Sequence, residues 1–168
     1  YPDALNDVFS YDQASRLTLA VSNRYQNTVS RAYNDDSTVA IEGLVTNGQN
    51  YQIAHFFDSA KRKYQTTYPN GKVLSQAFTA RNQLSSVSYD AQLMANFQYD
   101  IGMREVTRGL GNGLTQVTAY RPDNLISQKN TRDGALNCNL IVYQFDMANR
   151  LLQRQYPDAL NDVFTYDQ

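Results

Sequence analysis

His55 and Cys138 are the only histidine and the only cysteine in this sequence of 168 residues. A nucleophilic site needs a nucleophile beside a base, with a third group that orients the base. Because there is no second histidine, such a site would need Cys138 or a serine folded against His55. We therefore expect His55 to lie on a strand face and Cys138 to be a small inward-facing residue. The alternative for Cys138 is a disulfide between neighbouring chains in an oxidising compartment.

Two further stretches have residue types that bind ions or phosphate. Asp35–Asp36 and the aspartates of the repeat have carboxylates that suit Ca²⁺, but their spacing matches no EF-hand or nonapeptide β-roll, so turn capping is favoured. Residues 109–115, GLGNGLT, resemble a phosphate-binding loop, but they lack the Lys-Ser/Thr pair of a P-loop. We predict a hairpin tip there. The sequence thus predicts no catalytic residue, no metal and no cofactor, and we do not expect an enzyme.

The charge balance excludes a nucleic-acid partner. Fifteen basic and sixteen acidic residues give a net charge of -1, and no cluster of Lys and Arg is present to hold a phosphate backbone. No apolar run is long enough for a membrane span. With 13 tyrosines, no tryptophan and only four prolines, the chain favours strands and turns over helices.

The dominant feature of the sequence is a repeat on two scales. Residues 1–13 read YPDALNDVFSYDQ and residues 156–168 read YPDALNDVFTYDQ, so that only Ser10 and Thr165 differ. The two segments start 155 residues apart and are predicted to be the same part of a 155-residue higher-order repeat. Between them an aromatic residue recurs every 21 to 25 residues, which predicts a single array of about seven units. The units are residues 11–32, 33–56, 57–77, 78–98, 99–119, 120–144 and 145–165.

Each unit begins with a landmark aromatic, which is commonly followed by Asp and, four residues after the Asp, by Arg and an apolar residue. The predicted structural motif comprises Tyr11, Asp12, Arg16, Leu17, Tyr33, Phe57, Asp58, Arg62, Phe78, Tyr99, Asp100, Arg104, Tyr120, Phe145, Asp146, Arg150, Leu151, Tyr166 and Asp167. The predicted turns contain Asn47, Gly48, Asn70, Gly71, Asn112 and Gly113.

The residue pattern within a unit predicts two short strands and two turns. Apolar residues alternate with polar or small ones, and Asn-Gly between two such runs indicates a hairpin. We expect the Asp to cap its turn through backbone N–H groups. We expect the Arg to lie over a neighbouring ring or to pair with an Asp of the next unit. The landmark rings are expected on adjacent strands, and the apolar residue after the Arg is expected to begin a buried face.

The pattern Tyr-Asp-x-x-x-Arg-Leu, repeated at about 21-residue spacing with an Asn-Gly-type turn between, resembles the YD repeat of the RHS family along the whole chain. That family includes Rhs polymorphic toxins, shell-forming subunits of Tc toxin complexes, wall-associated proteins and teneurins. The resemblance implies an all-β fold of hairpins wound in a spiral strip that forms the wall of a hollow shell or tube. The chain departs from the family where Ser15, Asn82, Asn124 and Asn149 replace a motif glycine, and it contains no Asp-Pro dipeptide.

Three functions are compatible with these observations. The first is a non-catalytic structural segment of a long secreted or surface protein that forms an extracellular tube or filament, in a bacterium as the resemblance implies. The second is a wall segment of an RHS toxin shell that encapsulates and delivers an effector. The third is an adhesin stalk that binds glycans through tyrosines. The expected partners are further copies of the repeat, in the same or neighbouring chains, and an enclosed cargo polypeptide in the case of a shell.

Overall fold

The computed structural model describes residues 6–167, which contain fifteen β-strands and no helix. The predicted all-β fold is confirmed. Residues 1–5 and 168, which belong to the two matching segments, lie outside the described residues. The strands are β1 (Asp7–Tyr11), β2 (Leu17–Ser22), β3 (Asn27–Tyr33), β4 (Val39–Thr46), β5 (Gln49–Phe57), β6 (Lys63–Thr67), β7 (Val73–Phe78), β8 (Leu84–Tyr89), β9 (Gln92–Tyr99), β10 (Glu105–Leu110), β11 (Leu114–Tyr120), β12 (Ile126–Asp133), β13 (Leu136–Phe145), β14 (Leu151–Gln155) and β15 (Asn161–Val163).

The order of the strands in the sheet is their order in the chain. Residues 6–76 with 89–91 form one compact unit, and residues 77–88 with 92–167 form a second. In the first unit the consecutive strands pair antiparallel, from the pair β1–β2 to the pair β6–β7. In the second unit the consecutive strands also pair antiparallel, from the pair β9–β10 to the pair β14–β15. Within residues 6–167 no helix is long and apolar enough to cross a membrane.

The same turn follows each landmark aromatic. In its first copy the N–H of Asp12 donates to the C=O of Arg16, and the N–H of Ser15 donates to the C=O of Asp12, both at 3.0 Å. Ser15 has a φ angle of 59°, so the turn ends in a left-handed residue. A bulge follows, because Tyr11 pairs with Leu17 whereas Ser10 pairs with Leu19. The left-handed residues at the same position of the later turns are Ser37, Lys61, Asn82, Met103, Asn124 and Asn149.

The three Asn-Gly pairs of the sequence form two kinds of turn. Asn47 and Gly48 connect β4 directly to β5, and both have positive φ angles, 49° and 72°, as a two-residue type I′ hairpin requires. At 70–71 and 112–113 only the glycine has a positive φ angle among the two residues. Gly71 and Gly113 instead occupy the left-handed position that Ser15 occupies in the repeated turn.

The described residues contain no fully buried apolar side chain, whereas Thr66, Thr118 and Asn130 are buried. The expectation that the apolar residue after each motif Arg begins a buried face is therefore wrong for Leu17 and Leu151, which are only half-buried. A side chain on a single sheet layer is covered by its cross-strand neighbours alone. The fold consequently depends on contacts along the sheet, which makes the repeated turns and their side chains the candidate functional elements.

Candidate functional site: a repeated turn clamp

The motif Asp fixes the turn through both of its carboxylate oxygens. In the first copy, Oδ1 of Asp12 accepts hydrogen bonds from the N–H groups of Ala14 and Arg16, both at 2.9 Å. Oδ2 of Asp12 accepts from Nε of Arg16 at 2.7 Å. The turn is thus closed by two backbone bonds and one charged side-chain bond. The same three bonds recur at Asp58 and Asp146.

The Arg that closes each turn also lies over the landmark ring of the following unit. The Cζ atom of Arg16 is 4.6 Å from the centroid of the Tyr33 ring. A guanidinium at this distance is attracted by the negative face of the ring. The corresponding distances are 4.7 Å for Arg104 and Tyr120 and 4.9 Å for Arg150 and Tyr166.

A tyrosine at the landmark position adds a bond back to the preceding unit. Oη of Tyr33 donates to the C=O of Leu17 at 2.8 Å. Tyr120 and Tyr166 make the same bond to Glu105 and Leu151, at 2.9 and 2.8 Å. We call the set of Asp, Arg and next-unit tyrosine the turn clamp. Its complete copies are Asp12–Arg16–Tyr33, Asp100–Arg104–Tyr120 and Asp146–Arg150–Tyr166.

The clamp corrects one expectation about the motif and agrees with another. The landmark aromatics end the odd-numbered strands from β1 to β13, so that an even-numbered strand separates successive rings. They therefore do not lie on adjacent strands, because each unit contributes two strands to the sheet. Of the two expected positions of the motif Arg, the one over a neighbouring ring is observed for Arg16, Arg104 and Arg150. The ion pairs of Arg16 and Arg104 are formed with the Asp of their own turn, because the turn places the two side chains together.

In the unit that begins at Tyr120, the Arg comes before the Asp in the turn, but an Arg–Asp pair still lies beside the next landmark ring. Arg121 stands where other units have Asp, and Leu125 stands where they have Arg. Arg121 pairs with Asp123 at 2.7 Å, and its Cζ atom lies 5.4 Å from the centroid of the Phe145 ring. A guanidinium therefore still covers the next landmark ring.

The unit that begins at Phe78 replaces the charged pair by neutral groups. Oγ1 of Thr79 accepts from the N–H groups of Arg81 and Gln83, at 3.2 and 3.1 Å. Nε2 of Gln83 then donates to the C=O of Met103 in the following turn, at 3.0 Å. The link between successive turns is thus kept without an ion pair.

The turn clamp lowers the pKa of its carboxylates below their ordinary value of 3.8. For Asp58 and Asp100 the largest cause of the lowered pKa is the hydrogen bond from the side chain of the Arg. For Asp12 and Asp146 the largest cause of the lowered pKa is the hydrogen bond from the backbone N–H of the Arg. The ionised form of each Asp is therefore the one that the folded turn binds.

A second polar cluster surrounds His55 in the first unit. Strands β4, β5 and β6 place Glu42, His55 and Thr66 on one face of the sheet, because His55 pairs with Thr66 and Glu42 pairs with Ile53. Nδ1 of His55 is 3.3 Å from Oγ1 of Thr66, and Nε2 is 3.5 Å from Oε2 of Glu42. Nε of Arg31 donates to Oε1 of Glu42 at 3.2 Å.

The cluster combines a hydroxyl, an imidazole and a carboxylate, which are the groups of a nucleophilic triad. However, Thr66 is only 4% exposed, so a substrate cannot reach its hydroxyl. The arrangement instead gives a buried hydroxyl a partner. The sequence did not point to Glu42 and Thr66. The type I′ turn at 47–48 was the available signal, since it fixes the register that brings Glu42 beside His55.

Cys138 is exposed, so the expected inward-facing position is wrong. The first residues of β13 form the end of the hairpin with β12, and the described pairing of β13 with β14 begins only at Val142. Cys138 is the extra residue of a bulge in β13, because Asn139 pairs with Thr131 whereas Asn137 pairs with Arg132. Residues 109–115 join β10 to β11 with Gly113 at a φ angle of 89°. Within residues 6–167 no three His, Cys, Asp or Glu side chains are grouped to hold a metal ion.

No protein-family model matches the sequence, and no curated protein matches it. In structure, the chain is similar to part of the crystal structure of TcdB2-TccC3-Cdc42, with 12% identity and a TM-score of 0.64, over 96% of this chain and 12% of that chain. A crystal structure of TcdB2-TccC3 gives 12% identity and a TM-score of 0.64, over 90% of this chain and 12% of that chain. The Photorhabdus luminescens Tc holotoxin pore gives 12% identity and a TM-score of 0.59, over 90% and 11%. The chain therefore shares the fold of a segment of these much longer proteins.

Proposed function

We propose that this chain is a non-catalytic structural segment of a long YD-repeat protein, and that its strands continue into the wall of an extracellular tube or filament. The support comes from the turn clamp, which uses one unit to hold the landmark ring of the next. Each clamp leaves a further turn that can hold a further ring. A solenoid-like array of this kind grows by repeating one nearest-neighbour contact.

The observation that carries the proposal is the last clamp of the chain. Arg150 covers Tyr166, and Oη of Tyr166 donates to the C=O of Leu151. Tyr166 belongs to the segment that repeats the start of the chain, so its counterpart there is Tyr11. The contact that holds the next 155-residue block is thus the same contact that holds successive units within the block. The array can therefore be extended without a new kind of interface.

A second candidate is the wall of an RHS toxin shell around an effector. It is favoured by the structural similarity to TcdB2-TccC3-Cdc42, which extends over 96% of this chain. A parent gene with an Asp-Pro-rich region and a variable C-terminal domain downstream of this segment would support the shell. A parent gene with many near-identical copies of the 155-residue block would support the tube or filament.

The proposal is tested by expressing chains that contain one, two and four copies of the 155-residue block in tandem. Small-angle X-ray scattering measures the longest dimension of each chain. A continuous wall predicts an equal increase in this dimension for each added block, with the cross-sectional radius unchanged. A radius of gyration that grows as it does for separate globules on mobile links would contradict the proposal.

A further inference from the structure

One segment of sequence occurs in this chain twice, in two different surroundings. Residues 6–12 and 161–167 are identical except that Ser10 corresponds to Thr165. In its first position the segment forms β1 and pairs with β2. In its second position it forms β15 and pairs with β14. The two pairings show what each edge of the same strand can bind.

The two pairings use opposite edges of the strand. In the first position of the segment, the C=O of Asn6 accepts from the N–H of Asn23 at 3.2 Å. The C=O of Ser10 accepts from Oγ1 of Thr18 at 3.1 Å. In the second position, the N–H of Phe164 donates to the C=O of Leu152 at 2.9 Å. Phe164 corresponds to Phe9. Successive residues of a strand direct their backbone groups to alternate edges. Asn6, Val8 and Ser10 therefore face β2, whereas the second-copy counterparts of Asp7 and Phe9, which are Asp162 and Phe164, face β14.

No described contact of the segment depends on the side chain that differs. The bond from Thr18 ends on a backbone carbonyl, which Thr165 also has. A second bond runs from Nδ2 of Asn23, the residue after β2, to Oδ1 of Asn6, and Asn161 supplies the same group. The second copy of the segment can therefore make every described bond that β1 makes with β2.

The contacts with β14 are made by side chains that the first copy also contains. Arg154 pairs with Asp162 at 3.1 Å, and its Cζ atom is 5.3 Å from the centroid of the Phe164 ring. The corresponding aromatics in β1 are Phe9 and Tyr11, which are 56% and 61% exposed. A strand like β14 would cover Phe9 as it covers Phe164, which is half-buried.

We propose that β15 of one copy of this chain pairs with β2 of a second copy, in the place of the second copy's β1. The partner is thus the same chain, and the interface is a strand exchange. Thr165 would lie opposite Leu19, and Val163 would lie opposite Val21, as Ser10 and Val8 do within one chain. The donated strand is then paired on both edges, with β14 of its own chain and β2 of the other. This goes beyond the proposed function, because it joins separate chains.

The exchange replaces one β1–β2 pairing by an equivalent pairing between chains. It therefore gains little free energy while β1 remains competitive, and it depends on protein concentration. Weakening β1 selectively shifts the equilibrium toward the exchanged form. This is possible by substitution, because β1 and β15 are separate residues of the chain.

The test uses proline at the position that differs between the copies. Ser10→Pro removes an N–H that faces β2 and so weakens β1. Thr165→Pro removes the corresponding N–H two residues after β15, which faces away from β14, so the pairing of β15 with β14 is kept while donation to β2 is blocked. We expect full-length Ser10→Pro to form head-to-tail oligomers whose sedimentation coefficient rises with concentration. We expect the double variant Ser10→Pro, Thr165→Pro to remain monomeric.

Far-UV circular dichroism confirms that each variant keeps its β-sheet content. Folded Ser10→Pro that remains monomeric at all concentrations would overturn the proposal. Equal association of the single and the double variant would overturn it as well. Neither result bears on the tandem-block experiment, because that experiment concerns blocks within one chain.

Disulfide trapping tests the register of the exchange. Both chains carry Cys138→Ser, the acceptor chain carries Ser10→Pro and Leu19→Cys, and the donor chain carries Thr165→Cys. We expect an acceptor–donor disulfide on a non-reducing gel, because the two positions lie directly opposite each other in the proposed pairing. The matched donor carries Phe164→Cys, whose side chain points to the opposite face of the sheet. A disulfide of equal yield with that donor, or none with Thr165→Cys, would contradict the proposal.

Discussion

The residue four positions after each landmark aromatic adopts a left-handed conformation, although no glycine occupies any of these positions. Such residues have a cost of about 1–2 kcal/mol when they are not glycine, and asparagine has the smallest. The resemblance of the motif to the YD repeat pointed to Ser15, Asn82, Asn124 and Asn149 as replacements of a motif glycine. Lys61 and Met103 could not be recognised in this way, because their side chains give no sign of a left-handed backbone.

Met103→Gly is expected to stabilise the protein by about 0.5–1 kcal/mol, because glycine relieves the left-handed strain and the exposed methionine side chain contributes little packing. The bond from Gln83 to the C=O of residue 103 does not require the side chain. The free energy of unfolding in urea measures the effect. Asn149→Gly, at the same left-handed position of another turn, is the matched control and should give a smaller gain. A loss of stability in Met103→Gly would contradict this account of the turn.

The Asp of the turn clamp predicts how acid affects stability. The pKa of Asp100 is lowered in the folded state, chiefly by the hydrogen bond from the Arg104 side chain. A lowered folded-state pKa contributes stability above the ordinary value of 3.8, and this stability is lost as the pH falls through the folded-state pKa.

Asp100→Asn is therefore expected to unfold more easily than the unmodified protein at neutral pH, and the difference should shrink as the pH falls below about 4. Urea unfolding at a series of pH values from neutral to acid provides the measurement. Asp35→Asn, which alters an exposed turn carboxylate outside any clamp, serves as the control. A difference that stays constant over the acid range would show that the charge of Asp100 is not what the turn binds.

At the scale of the elements, hairpins and their approximate length could be predicted from the alternation of apolar residues and from Asn-Gly. The connection between β8 and β9 was not predicted, although Asp90 and Ala91 both have positive φ angles, 51° and 64°. Alanine in such a turn has no local sequence signal, so only the pairing of the flanking strands determines it. The contacts between side chains of successive hairpins could likewise not be predicted from the sequence, because they depend on strand register and not on spacing along the chain.

The landmark hydroxyl is expected to connect a hairpin to the preceding one with measurable energy. Tyr120→Phe removes the bond from Oη to the C=O of Glu105 while it keeps the ring under Arg104, so we expect a loss of about 1 kcal/mol. Phe145→Tyr places a hydroxyl at the equivalent position of the next unit and should be neutral or stabilising. Urea unfolding of both variants provides the measurement. Equal losses in both would indicate that ring packing, and not the hydroxyl bond, joins the hairpins.

At the scale of the whole molecule, stability comes from contacts between consecutive strands. The described strand–strand contacts all join strands that follow one another in the chain. The expectation of a buried apolar face failed because the alternation of apolar residues predicts which side chains share a face but not what covers that face. The all-β class and the repeated turn were predictable because they depend on residues within one unit. Among residues 6–167 no apolar side chain is fully buried, and this could not be predicted because burial depends on contacts beyond a single unit.

In such an array, a substitution in one strand should lower the stability of the neighbouring strands and leave that of more distant strands unchanged. Asn130 is 3% exposed, and its Nδ2 atom donates to Oδ1 of Asn137 at 2.8 Å. Asn130→Ala is expected to lower the stability of β11, β12 and β13 by about 1 kcal/mol. Amide hydrogen exchange should accelerate in these strands and remain unchanged in β9 of the same unit. Uniform acceleration over the unit would indicate a cooperative fold of a different kind.

The most direct test of a structural wall is electron cryo-microscopy of the native assembly that contains this chain. The account predicts open-ended tubes or filaments in which antiparallel strands continue from one 155-residue block to the next, with the same turn clamp at every unit boundary. Closed capsules of fixed length with density inside them would contradict the tube and favour the toxin shell. Separate compact particles without continuous strands between blocks would contradict the wall itself.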